Sequence, residues 1–471
     1  MTLTDVTAGP RHHAEESLTG ARRIRCQTTR LIAGLLISTF LVFVPGALRL
    51  KAAQEIPDPS AAQFRAGDRW CAVGDSITHT GFYTDYIYLF YATRFPDRPI
   101  DFFNCGSAGD TAKGTVARLQ KDILRHHPTV ATIMLGMNDV RRGFYSSKFN
   151  PPDAQAQRDA AIEVHVANMR TLAEKLQAAG ARLIFITPSI FDDTVEFQSE
   201  KYSGVNAALA RCSENARKLA KEFNAPLVDF HGPMTRLNRE QQKLNPKFTL
   251  IGPDRIHPKE IGSFVMAYLF LKGQGIMPFV SDVVEDAAGK DQCSFTYQAK
   301  ALPFPVPIEC VEALKLVPFT EELNQERLRI TNLASGKYAL TIDGEAIKTF
   351  ASAELQNGIN LTSLTNTPQY QQALEVAKLD VERYKLVQIL RTLDFLDAGI
   401  NPNYGTTDEF DYAAVLAKRK SSPSSWGQRL WVEYAKYKPQ QAAVRQQKEK
   451  LVEAIRQASQ PKPHQFKVLK E

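Results

Sequence analysis

Cysteine is scarce in this chain. The 471 residues hold six, at positions 26, 71, 105, 212, 293 and 310, and no two form a C-x-x-C pair. That removes the spacing a zinc ribbon or a thioredoxin-like redox site requires. Cys26 precedes the single long apolar run, so five remain beyond it, too sparse and odd a set for a disulfide framework to carry the fold. Cys293 and Cys310 flank a Pro-rich loop, and a bridge between them or two buried thiols are both open readings. There is no HExxH, no EF-hand loop and no dense Asp/His cluster, so no metal is expected. A Walker loop and a GxGxxG after the first strand are also missing, so no cofactor is expected. One-sided charge is lacking too: 58 Lys+Arg stand against 51 Asp+Glu, a formal net charge of +7. With no basic stripe interleaved with aromatics, nucleic acid is not an expected partner. What is present, 44% hydrophobic and 9% aromatic residues, describes a globular protein and excludes a collagen, a disordered chain or a multispanning membrane protein.

The one long apolar run covers residues 31–48, LIAGLLISTFLVFVPGAL. Arg22, Arg23, Arg25 and Arg30 crowd ahead of it and Ala52-Ala53 follow. A basic region, an apolar core and small residues at the exit describe a secretory signal, and Pro45-Gly46 favours a break over a continuous span. A membrane anchor is the close alternative. Residues 1–53 are therefore expected to direct the rest of the chain out of the cytoplasm, to a secreted or periplasmic location, or to tether it to a membrane.

From about residue 54 to 275, short apolar runs alternate with amphipathic stretches. The runs Trp70–Val73, Ile100–Asn104, Val130–Leu135, Leu183–Ile186 and Leu227–Phe230 lack strict alternation, as expected of parallel strands buried on both faces. Helical segments lie between them: Phe82–Arg94, Thr111–His126, Ala154–Ala179, Gly204–Phe223 and Lys259–Lys272. Such alternation reads as a three-layer α/β domain whose site lies at the carboxyl ends of its strands. Residues 276–326 read as an irregular linker. Residues 327–368, with turn signals at Ser335-Gly336, Asp343-Gly344 and Asn357-Gly358, read as a small antiparallel β module, and residues 369–471 as a helical region. Trp426, Trp431, Tyr434 and Tyr437 in that region offer either sugar stacking or, more in keeping with helical spacing, core packing.

Chemistry gathers directly after the strands. Gly74-Asp75-Ser76-Ile77 follows the first, Asn104-Cys105-Gly106-Ser107-Ala108-Gly109-Asp110 the second, Gly136-Met137-Asn138-Asp139 the third, and Asp254-Arg255-Ile256-His257 lies near the end of the alternating region. These four blocks, in this order, resemble the SGNH, or GDSL-type, hydrolase family, with Ile77 standing where the family name has Leu. The resemblance covers about residues 66–275. It implies a three-layer α/β/α, flavodoxin-like fold and a serine esterase needing no cofactor. It further implies Ser76 as nucleophile, His257 as base and Asp254 as its orienter, with Ser76 N–H, Gly109 N–H and Asn138 forming the oxyanion hole. Acyl transfer requires this set of groups. The α/β-hydrolase G-x-S-x-G elbow does not occur.

Asp75 suits a helix cap, Asp139 a cap or loop-fixing carboxylate, and His126, His127 and His165 structural places. His79, three residues past Ser76, reads as a substrate contact or as a surface or cap residue, and Arg141, Arg142 and Tyr145, after the third strand, as contacts for an acidic or sugar substrate or as solvated loop residues. Within the family resemblance, the expected substrate is a carboxylic ester, with an acetylated polysaccharide favoured by export, the β module and the absence of a long apolar lid. A lipase or lysophospholipase, and a non-catalytic glycan-binding protein on the same fold, are the alternatives.

Overall fold

A computed structural model describes residues 59–398 and 426–471. The expected signal or anchor, including the apolar run 31–48, lies outside the described residues. Among the described residues no helix is long and apolar enough to cross a membrane.

Five parallel strands form the central sheet: β1 (Arg69–Gly74), β2 (Asp101–Gly106), β3 (Val130–Met134), β4 (Arg182–Ile186) and β5 (Leu227–Val228), in the order β2-β1-β3-β4-β5. β1, β3 and β4 are buried almost throughout because helices cover both faces. The two-residue period divides β1 cleanly: Trp70 and Ala72 enter one core, Cys71 and Val73 the other. The order reverses between β1 and β3, and such a switch point leaves a crevice at the strands' carboxyl ends.

Helices α1 (Ser76–Thr80) and α2 (Phe82–Arg94) follow β1. α3 (Ala112–Arg118) follows β2 and passes into a π turn, Leu119–Ile123, and a 3₁₀ turn, Leu124–His126, where the sequence reading expects one continuous helix. α4 (Ala154–Ala178) and α5 (Val205–Glu222) agree with their expected spans within a residue or so. α6 (His231–Leu244), unforeseen in the sequence, precedes α7 (Glu260–Gly273).

The stretch 276–326 differs from the expected irregular linker. It holds strands β6 (Phe279–Asp286) and β7 (Gln292–Gln298), a 3₁₀ turn at Ile308–Lys315, the short helix α8 (Phe319–Leu323) and the start of β8 (Gln325–Thr331). With β9 (Lys337–Ile342), β10 (Glu345–Ala351), α9 (Ser352–Asn357), β11 (Ile359–Asn360) and the C-terminal β12 (Pro463–Lys470), these strands build two sheets, β10-β9-β12-β7 and β11-β8-β6, in which β6 and β8 pair in parallel. Their inner faces share a core around Leu328, Ile330, Tyr338, Leu340, Ile342 and Phe466. The module is thus larger than residues 327–368 and not wholly antiparallel. Its strand β12 (Pro463–Lys470) comes from the expected helical tail and pairs with both β7 and β9.

α10 (Pro368–Asp397) is a thirty-residue helix, capped by the Thr367 hydroxyl at the Tyr370 N–H and opened by proline. It packs along the helix Gln441–Ala458 and also against α2 and β2. A core of Leu393, Phe395, Leu396, Trp431 and Tyr434 joins it to the helix Trp426–Tyr437. Trp431 and Tyr434 are buried there, which leaves them no face for sugar. The five described cysteines, Cys293 and Cys310 included, are free thiols. Cys310 lies against the Glu260 carbonyl while Cys293 sits in β7.

Candidate active site

Three strand ends and one loop bring the expected residues together. Asp75 caps α1, its carboxylate accepting from the Ile77 N–H at 3.0 Å, and so turns the chain sharply at Ser76. Two glycines make room for this turn. A Cβ on Gly74 would lie 2.2 Å from Thr78 Oγ1, and one on Gly106 2.2 Å from the His79 backbone nitrogen. Ser76 Oγ lies 2.7 Å from His257 Nε2, across 181 residues of chain. His257 Nδ1 lies 2.5 Å from Asp254 Oδ2. With Nδ1–H directed to that carboxylate, Nε2 is the acceptor for the serine hydroxyl.

Asp254 does more than face the ring. Its Oδ1 accepts the N–H groups of His257 and Ile256 at 3.0 and 3.1 Å. Burial pushes its carboxyl upward, but the His257 ring and these two donors outweigh it and hold the group well below its usual range. The loop is closed by Gly252 N–H on the His257 carbonyl at 2.7 Å and a bridge between Ile251 and Pro258. Pro258 therefore ends the loop and does not open α7, which starts at Glu260.

Arg255, which the sequence reading did not single out, anchors the same loop. It is buried at φ +65°, and its guanidinium donates to the carbonyls of Asp192, Val195 and Ser199 at 2.8, 3.1 and 3.0 Å. Its position between Asp254 and His257 was the available signal, but only the fold shows what it holds.

Gly109 is exposed in a left-handed turn (φ +76°) with open space around its Cβ position. Asn138 Nδ2 donates to the Asp110 carbonyl at 2.8 Å, which fixes the amide and leaves its second N–H. Asp139 accepts from the Ala112 N–H at 2.9 Å, pinning the start of α3, and lies 3.2 Å from His165 Nδ1. Burial works against charge on His165, yet Cys212 and Asp139 beside it raise it to about 10. Burial raises Asp75 to about 7.

The substrate-contact candidates stand differently. His79 is buried, edge-on to Phe395 of α10, and burial together with the Arg391 charge lowers it to about 3. It faces the core and not the cleft. Arg141 lies over Phe144, Arg142 over Tyr202, and Tyr145 under Arg158, so each is engaged in a ring contact along the loop after β3.

The chain has relatives. Residues 72–263 match the GDSL-like Lipase/Acylhydrolase family. A solved gut microbial diltiazem-metabolizing enzyme is 31% identical, with a TM-score of 0.78, over 87% of this chain and 99% of its own. The chain belongs to the SGNH, or GDSL-type, hydrolase family. An acetylxylan esterase from Geobacillus stearothermophilus is 24% identical over 229 residues, 45% of this chain and 95% of the relative. This SGNH hydrolase is a serine esterase by family, and its parallel sheet with flanking helices is the family's fold.

Proposed function

We propose that Ser76, His257 and Asp254 are the catalytic triad and that this esterase removes short acyl groups, acetyl above all, from a bulky alcohol such as a carbohydrate, outside the cytoplasm. The unbroken relay from Ser76 Oγ through His257 to Asp254 carries the reading. In it Ser76 Oγ attacks the ester carbonyl as His257 Nε2 takes the hydroxyl proton. Asp254 keeps the ring in the required tautomer and offsets the imidazolium charge. The oxyanion rests on the N–H groups of Ser76 and Gly109 and on the Asn138 amide. Collapse breaks the ester C–O bond, and His257 returns its proton to the departing alcohol. Water, deprotonated by His257, then attacks the acyl-enzyme, releasing the acid and restoring Ser76.

The openness of the base side supports a large alcohol and a small acyl group. The side chains of His257 and Asp254 are 37% and 49% exposed, an approach that suits a chain-like alcohol better than the sheltering of a long acyl tail. The acetylxylan esterase similarity points the same way, and the diltiazem-metabolizing relative extends the alcohol to compact drug-like molecules. The basic segment and apolar run ahead of residue 53 support export.

The test is the rate on p-nitrophenyl esters from acetyl to dodecanoyl, then on acetylated xylan and diltiazem, with Ser76→Ala as control. The expected result is a maximum at acetyl and a loss on the order of 10⁴-fold or more in the variant, with its melting temperature unchanged. A maximum at long chains would replace the carbohydrate reading with a lipase. Turnover retained by Ser76→Ala would overturn the triad.

A further inference from the structure

The helix α10 belongs to the C-terminal region, far from every motif of the family, yet it reaches the acyl-transfer site in two places. Arg391, buried within the core, donates both Nη groups to Asp122 at 2.7 and 2.9 Å, across 269 residues of chain. Asp122 sits in the π turn after α3 and also receives Arg118 Nη1. Arg118 Nε bonds the Asp110 carboxylate at 2.7 Å, and its Nη2 reaches the Gly74 carbonyl at 3.3 Å. The Asp110 carbonyl is the acceptor that fixes Asn138. From α10 to the oxyanion amide the path is therefore continuous: Arg391, Asp122, Arg118, Asp110, Asn138.

The charges along this path alternate and balance only when Arg391 is present. All four ionised side chains are almost wholly buried. In so dry a setting an uncompensated carboxylate at Asp122 would draw the Arg118 guanidinium away from Asp110 and Gly74. The second reach is on the nucleophile's helix. Tyr384 Oη and Gln388 Nε2 both donate to the Thr80 carbonyl at the end of α1. Gly81 follows at φ +80°, where a Cβ would stand 2.9 Å from Gln388 Nε2.

We propose that α10 is a working part of the catalytic apparatus and that Arg391 is a positioning residue, setting the oxyanion donor Asn138 through the buried chain of charges. The inference rests on the triad and oxyanion reading above. It makes the C-terminal region necessary for rate as well as for stability.

The experiment uses the full chain with p-nitrophenyl acetate, each variant's competent sites being counted by stoichiometric labelling of Ser76 with a fluorophosphonate. Arg391→Gln should lower kcat per labelled site by about 10- to 100-fold while KM stays within about twofold, and Arg391→Lys should recover part of the loss. In an Asn138→Ala background, Arg391→Lys should change kcat by less than about twofold, because the donor it positions is already gone. A wild-type kcat per labelled site in both Arg391 variants would overturn the proposal. So would an Arg391→Lys loss undiminished in the Asn138→Ala background. If Arg391→Gln does not fold, the Lys variant and its double variant still decide. Loss of activity in Ser76→Ala alongside normal Arg391 variants would sink only this inference. Activity in Ser76→Ala would sink the triad reading on which it stands.

Discussion

The two sides of the proposed catalytic centre are built on opposite physical plans. On the nucleophile side, Asp75, Asp110, Arg118, Asp122 and Asp139 are buried, and most hydrogen-bond across elements distant in sequence. On the base side, Asp254 and His257 are half exposed, three residues apart, and held by bonds within one short loop. Behind the half-buried Asn138 and the exposed Gly109, the buried charges make a dry, immobile support that holds the Asn138 dipole without reorganisation. The side that shuttles a proton needs only a fixed ring and access to water. Arg255 supplies the fixity by fastening that loop to the carbonyls of residues 192–199.

The contrast breaks most sharply if the exposed side can be altered at no cost in fold. His257→Ala should lower kcat/KM on p-nitrophenyl acetate by about 10⁴-fold or more, with a melting temperature within a few degrees of the parent. A large loss of thermal stability would show that the base loop is as embedded as the other side. The next effect is on stability. Asp122→Ala leaves the Arg118 and Arg391 guanidiniums buried without their shared partner and should cost about 3–5 kcal/mol in urea unfolding. Asp254→Ala should cost about 1 kcal/mol or less, because its partners face solvent. Equal losses in the two would erase the distinction.

The last comparison concerns pH. Burial raises Asp75 to about 7, so between about pH 4 and 7 the folded chain keeps a proton that the unfolded chain has released. Its contribution is fully present below pH 4 and is lost as pH rises through 7. Asp75→Asn keeps an oxygen for the Ile77 N–H, and its unfolding free energy should fall by about 1–4 kcal/mol less than that of the parent over that interval. Parallel profiles would mean that the Asp75 carboxylate remains ionised within the fold.

The hydrolase region was largely legible because its signals are local and dense. Parallel strands buried on both faces are continuous apolar runs, and three of the four motif blocks stand directly after them. The helix expected at Phe82–Arg94 is found at those bounds. The region beyond residue 275 was less legible. In β7 exposed and half-buried residues alternate, so no run of apolar residues marks it, and β12 is a strand only because β7 and β9 lie on either side of it. His79 shows the limit of spacing as a guide. Three residues from Ser76 left a cleft contact and a surface or cap place both open, and the five-residue helix α1 instead turns its ring into the core against Phe395.

Composition and motif spacing alone determined the α/β layering and the four blocks, three directly after strands around Ser76, Gly109 and Asn138 and one on the loop before α7 around Asp254 and His257, since each depends on neighbours a few residues away. Only the tertiary structure decided that Arg255 clamps the base loop, that the C-terminal strand completes the second sheet, and that Arg391 closes a buried charge chain leading to Asn138. Those contacts join residues tens to hundreds of positions apart, and an isolated arginine in a helical pattern reads as a solvated charge until the fold removes the water around it.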